Sequence, residues 1–184
     1  MQSPDSPKTF LEKYLALCAS PLRSEAAVMD DLRQLIALPM VKNVVFERSF
    51  DGVPADTLAI LLDELVLTDP DTGLHHFIGN FLVFLTRRRD GRSWHSSFRL
   101  VNLDTHTAGQ GRYMHPHMTA EVSADEKKEP YARICISQGD KPIYEAIRLG
   151  YMCVAVVRIL DVLNTLGPNH PFQHISKWPV KEDN

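Results

Sequence analysis

Three cysteines among 184 residues are too few to staple a fold. Cys18, Cys135 and Cys153 match neither a CxxC redox pair nor a zinc-finger spacing, and an odd number leaves a thiol unpaired. A reduced, cytoplasmic protein is the expectation. No secretory leader is expected either, because Met1 to Asp5 shows no charged stretch leading into an apolar one. No apolar run is long enough to cross a bilayer, since the best helical candidate near the C-terminus is interrupted by Arg158 and Asp161. Charge of one sign is also scarce. The 20 Lys and Arg nearly balance 23 Asp and Glu, for a formal net charge of -3. Neither nucleic acid nor a membrane is therefore an expected partner. Arg87-Arg88-Arg89 is a local basic exception, and before Asp90-Gly91 it reads as a solvated hairpin tip.

What the chain does contain is an ordinary globular composition, 44% hydrophobic and 23% charged. One domain over residues 1–184 is expected, with 1–6 and 180–184 as flexible tails. There is no internal repeat. Ser6 can cap a first helix, with Pro7 at its first position. Phe10, Leu11, Tyr14, Leu15 and Cys18 then share one helical face. Ser20-Pro21 interrupts the helix. Val28, Met29, Leu32, Leu35 and Ile36 continue a second amphipathic stretch, which Pro39 ends.

The pattern then turns to strands. Val41 to Glu47 is rich in β-branched residues. Thr57 to Leu67 lies between the turn signals Asp51-Gly52 and Asp69-Pro70. Phe77 to Thr86 leads to a hairpin turn at Asp90-Gly91. Trp94, Phe98 and Leu100 fall at even spacing on the strand beyond. These strands make an antiparallel meander. From Leu103 to Arg133 the chain reads as a long irregular loop, a feature often tied to function, and Ile134-Cys135-Ile136 follows as a short apolar run. Pro142 to Leu166 returns to helical spacing with a break at Gly150, and Gly167-Pro168 ends it. Pro171, Phe172, Trp178 and Pro179 are expected to pack back on the domain. The layout is α+β: N-terminal helix, four-stranded antiparallel meander, active-site loop, C-terminal helices. His75-His76 reads as a strand edge rather than a site.

Two short motifs carry the chemistry: Tyr113-Met114-His115-Pro116-His117-Met118, then Arg133-Ile134-Cys135-Ile136. In this element order they resemble the ubiquitin-conjugating enzyme family. The resemblance is strongest to its bacterial branch, in which His-Pro-His stands for His-Pro-Asn and whose members act in ubiquitin-like conjugation, often in antiviral defence. It runs from the first helix to Leu166, and Gly79-Asn80-Phe81 resembles that branch's third strand. The interval from His115 to Cys135 is twenty residues, about twice that of the family. The extra segment around 120–130 is expected as a solvated excursion. Ala132 stands where the family has glycine.

The resemblance implies a carrier that takes a ubiquitin-like modifier from an activating, adenylating enzyme as a thioester on Cys135 and passes it to a target lysine. It implies no cofactor and no metal. A thiolate suits that task because it holds an acyl group and releases it to an amine. The tetrahedral oxyanion needs a nearby donor, which His117 or the amides of Ile136 and Ser137 can supply. His115 is expected to fix the loop through its ring, and Asp140 to orient or deprotonate the incoming lysine. The first helix, with Lys8, Lys13 and Arg23, is implied as the docking face for the activating enzyme.

Two alternatives stay open. One is a binding module of the same fold without catalysis. The other is a zinc-binding domain or hydrolase that uses His115, His117 and Cys135, with His106, although no fourth ligand stands at ordinary spacing. Cys18 and Cys153, on apolar helix faces, are expected as buried core residues.

Overall fold

The computed structural model describes residues 7–47, 57–90, 93–104, 113–116, 118–121, 131–134, 140–165 and 174–181. Its helices are α1 (Pro7–Cys18), α2 (Glu25–Ile36), α3 (Asp140–Leu149) and α4 (Met152–Leu163). Its strands are β1 (Val41–Glu47), β2 (Thr57–Thr68), β3 (His75–Asp90), β4 (Ser93–Asn102), β5 (Tyr113–His115), β6 (Met118–Glu121) and β7 (Tyr131–Ile134). The class is α+β, as the alternation of helical and strand periods implies. Among the described residues no helix is long and apolar enough to cross a membrane.

The sheet order is β1-β2-β3-β4-β7-β6-β5, with every pairing antiparallel. The expected meander is therefore present as β1 to β4, but three further strands extend it. The stretch from Leu103 to Arg133, read as an irregular loop, contributes β5, β6 and part of β7. These strands have three or four residues each and little apolar alternation. Backbone pairing defines them, and hydrophobic period does not reveal pairing.

Side chains alternate across the sheet. Leu58, Ile60 and Leu62 of β2, Phe81, Val83 and Leu85 of β3, and Leu100 of β4 face the helices and are buried there with Tyr14, Leu35, Ile147 and Ile159. Ala59, Phe84 and Val101 form a small cluster on the opposite face. The alternation is reset by irregularities in the β2–β3 ladder. On β3 the reset lies at Gly79 (φ +134°), whose missing side chain makes room for Asn102, and Asn102 Nδ2 donates to the Ile78 carbonyl at 2.8 Å.

Arg87 continues the inward row of β3 and is 6% exposed. It is not the solvated residue that its place in an arginine triplet suggests. Its Nη1 donates to the carbonyls of Leu17 (2.6 Å) and Ala19 (2.8 Å), and its Nε donates to that of Arg148 (3.0 Å). Those carbonyls lie at the C-terminal ends of α1 and α3, where intrahelical partners run out and the helix dipole favours a cation. Trp94 holds the guanidinium at 3.6 Å from its ring centre.

Arg23, expected on the docking face, is also spent internally. Its side chain is 4% exposed, pairs with Asp31 at 3.6 Å, donates to the carbonyls of Gly150 and Ala27, and lies over Tyr151. Asp31 sits on the buried face of α2, where Tyr14 donates to its Oδ2 at 2.7 Å and the Cys153 amide approaches it at 3.4 Å. Asp31 thus serves the N-terminus of α4, whose own N-cap residue, Tyr151, makes no side-chain cap bond. Burial pushes the Asp31 carboxyl above its usual range, against the lowering effect of Tyr14 and Arg23. Lys13 lies over the Phe46 ring, 5.6 Å from its centre.

His76, expected at a strand edge, is buried on β3, and its Nδ1–H donates to the Trp178 carbonyl at 2.8 Å. Trp178 packs back on the core as expected. Val180 bridges to His76 and the Lys181 amide donates to the His75 carbonyl, so these two residues of the expected tail pair with β3.

Gly150 turns α3 into α4 at φ +82°, and a Cβ there would stand 2.6 Å from the Cys18 carbonyl oxygen. Gly150→Ala should cost about 2 kcal/mol through strain and backbone collision. Urea denaturation reads this as a lower midpoint, and an unchanged midpoint refutes it. Asp31 generates a pH dependence. Its folded pKa is raised above the ordinary 3.8, so its contribution is fully present below that value and is lost as pH rises through the native one. Asp31→Asn should flatten this part of the curve in a pH series of denaturation midpoints.

Candidate functional site

The site is built where the sheet's last strands meet the end of α4. His115 closes β5, is fully buried, and lies 2.8 Å through Nε2 from the Leu163 carbonyl. Leu163 is the last residue of α4, so its carbonyl lacks a partner within the helix. A carbonyl only accepts, so Nε2 carries the proton and donates it. His115 therefore caps α4 and pins the end of β5 to it. Pro116 is buried beside it and fixes φ near the extended region.

The chain then folds back. β6 pairs with β5 and with β7, and the β6–β7 ladder runs Met118↔Ile134, Thr119↔Arg133, Ala120↔Ala132 and Glu121↔Tyr131. Part of the insert expected as a solvated excursion is thus the paired body of a β-ribbon. β7 also pairs with β4 through Leu100↔Ala132, which ties the ribbon to the meander.

His117 and Cys135 lie outside the described residues, as do 135–139 and the other candidate zinc ligand, His106. Their chain neighbours do not: Met118 follows His117, Ile134 precedes Cys135, and these two are ladder partners. Asp140 is the first residue of α3, so the connection that contains Cys135 runs from the end of β7 to a helix N-terminus. α3 presents Ile143, Ala146 and Ile147 to the core and carries Lys141, Tyr144, Glu145 and Arg148 outside. Ser96 of β4 donates to the Tyr144 carbonyl at 3.1 Å, and Phe98 packs on the Tyr144 ring. The position of the helix start is therefore held by β4.

The other two thiols are placed as expected. Cys18 is fully buried, and burial, with the nearby Asp31 charge, pushes its thiol up to about 12. Cys153 is buried at the start of α4, and burial raises it too. Both are poor nucleophiles, because the thiolate is the reactive form.

No group of three or more His, Cys, Asp or Glu among the described residues is arranged to hold a metal ion. The Nε2 of His115 is committed to a carbonyl, which removes that nitrogen from any zinc set. The buried Tyr14–Asp31–Arg23 group escaped the sequence reading. Its signal was present, since Asp31 falls on the same α2 face as Val28, Leu32 and Leu35, an apolar row interrupted by one acid. No family model matches the chain, and neither a curated protein nor a solved structure matches it.

Thiol labelling tests the burial pattern. Cys18 and Cys153 should take up a thiol reagent only on unfolding, with all three thiols reacting in denaturant. Fast labelling of Cys18 in the native state contradicts its placement. His115→Ala should destabilise the fold by about 2 kcal/mol, since it strands a helix-end carbonyl. A thermal melt measures it.

Proposed function

We propose that this chain is a ubiquitin-conjugating-type carrier of UBC-like fold, holding a ubiquitin-like modifier as a thioester on Cys135. The pathway is a bacterial conjugation pathway of the antiviral defence kind. The reading rests on the resemblance of its motifs and element order, and one observation carries it: Met118 and Ile134 face each other across the β6–β7 ladder, beside the buried His115-Pro116.

Paired residues in an antiparallel ladder have Cα atoms about 5 Å apart. His117 and Cys135 are each one peptide unit, about 3.8 Å, from a member of that pair. The ladder thus joins the chain neighbours of the two motifs on one rung, although twenty residues of sequence separate Cys135 from His115. Residues 118–121 and 131–134 of that interval are paired strands. A second support is the helix start at Asp140, because the partial positive charge of a helix N-terminus favours thiolate in a preceding connection.

The reaction has two transfers. The Cys135 thiolate attacks the thioester carbonyl of the modifier on the activating enzyme. A carbon–sulfur bond forms, the old one breaks, and the activating enzyme's thiolate leaves. A target lysine amine then attacks the new thioester. The carbon–nitrogen bond forms, the Cys135 thiolate departs, and the amine proton passes to a base, for which Asp140 at the head of α3 is the candidate. His117 is the candidate donor to the oxyanion. His115 is a positioning residue that acts through the chain at β5 and the end of α4. Energy enters as ATP at the activating enzyme, so the carrier needs no cofactor of its own.

Reconstitution with the activating enzyme, modifier and ATP should give an adduct that thiol reductant removes. Cys135→Ala should abolish it, whereas Cys18→Ala and Cys153→Ala should retain it. An adduct that persists in Cys135→Ala removes the proposal. Asp140→Ala should leave loading intact and slow discharge to free lysine by about tenfold.

A further inference from the structure

β4 ends opposite Phe81, through the pair Phe81↔Asn102, so it leaves the first residues of β3 with β2 on one side only. Residues 174–181 take the other side. The Phe77 amide donates to the Pro179 carbonyl at 2.9 Å, the Lys181 amide donates to the His75 carbonyl at 2.8 Å, and Val180 bridges to His76 between them. We propose that this C-terminal segment is a proton-sensitive strap, closed on β3 while His76 is neutral and released when His76 takes a second proton.

The surroundings of His76 carry the inference. The ring is 2% exposed, and Leu67 stands opposite it on β2. Its Nδ1–H is committed to the Trp178 carbonyl, and its Nε2 is buried with no hydrogen-bond partner. The Trp178 indole, also buried and without a partner at Nε1, can only donate, so it offers no acceptor. A neutral ring leaves Nε2 as a bare acceptor. A second proton makes it a donor and the ring a cation, and an uncompensated buried charge is far more costly than an unmet acceptor.

The ionisable groups on the surrounding elements are engaged elsewhere or exposed. Glu64 of β2 pairs with Lys181 at 2.7 Å, and Asp63 pairs with Lys42 at 2.6 Å. Asp69, in the turn before β3, accepts from the Asp71 amide at 2.9 Å. His75 Nδ1 lies 3.0 Å from the Thr68 hydroxyl, and His174 Nδ1 lies 3.0 Å from that of Ser176. Asp71 and Lys177 are exposed.

The strap itself is lightly held. Ile175 and Trp178 reach the core, and two ladder bonds and one exposed ion pair supplement them among the described residues. Exposed pairs add little, and a short terminal element opens locally before a sheet does. Once it lifts, water solvates the ring, and an imidazole in water titrates near 6.5. Because the lifted form alone binds the proton, the closed form is favoured above that value and weakens as pH falls below it.

Amide hydrogen exchange of the full chain, read by NMR and corrected for the intrinsic rate at each pH, tests this. Protection of the Phe77 and Lys181 amides should fall about 30-fold from pH 8 to pH 5, the ratio for an imidazole that titrates at about 6.5 in the open form only. Amides of the central β2–β3 ladder should keep their protection. His76→Asn retains a donor for the Trp178 carbonyl and cannot take the proton, so its strap protection should stay level, whereas His174→Asn should behave like the unaltered chain. Level protection in the unaltered chain overturns the proposal whatever the variants do. A fall that survives in His76→Asn assigns the proton to another group and overturns it as well. So does an equal fall throughout the sheet, which is global unfolding. The ring signals of His76 give a reading without substitution: a titration of that ring while the strap amides stay protected also overturns the proposal. Cys135→Ala should show the same 30-fold fall, which separates failure here from failure of the carrier reading.

Discussion

One guanidinium sets the relation between the sheet and its helices. Arg87 leaves β3 on the core side, where a hydrocarbon would ordinarily stand, and ends against the C-terminal carbonyls of α1 and α3. Helix ends buried against a sheet need partners for those carbonyls. A single planar cation serves two helices at once, so their angle to the strands is fixed by directional bonds as well as by packing. Around it, Gly150 lets α3 turn into α4 within touching distance of the Cys18 carbonyl, and Asp31 holds the head of α4. The helix layer is thus assembled at its ends, by polar contacts, over an apolar floor.

The same burial sorts the thiols. Cys18 and Cys153 share their surroundings with Asp31, and desolvation together with that negative neighbour keeps their protons on. Two of the chain's three thiols are held back in this way, without any difference in the groups themselves. The ring of His115 belongs to this architecture as well: its worth lies in holding a helix end and a strand end together, and its proton is committed to that bond.

Much of the architecture was legible in the residues. Periodicity placed both N-terminal helices, the four meander strands and the α3–α4 break at Gly150, because each buries a regular apolar row. Strands β5 to β7 were not legible, since three or four paired residues need no apolar face. The arginine triplet misled for a related reason. Read as a block it is surface charge, but Arg87 stands two residues on from Leu85 and four from Val83, on the inward row of the same strand. Asp31 could have been found as the one acid in the apolar row of α2, but its partners Tyr14 and Arg23 lie outside that helix and no periodicity names them. Of the candidate site, neither the tie from His115 to the end of α4 nor the pairing of Met118 with Ile134 could be read from residue types, since both depend on the path of the backbone.

That ribbon gives the molecule a kind of modularity. Because its two strands run in opposite directions, growth or shrinkage at the far tip adds or removes rungs while leaving the base where β4 and β5 anchor it. Changes by whole rungs preserve which side each remaining residue faces, whereas a one-residue slip would invert them all. Length along the chain is then a poor ruler for such a site, because the ends of paired strands stay in register whatever the number of residues that joins them.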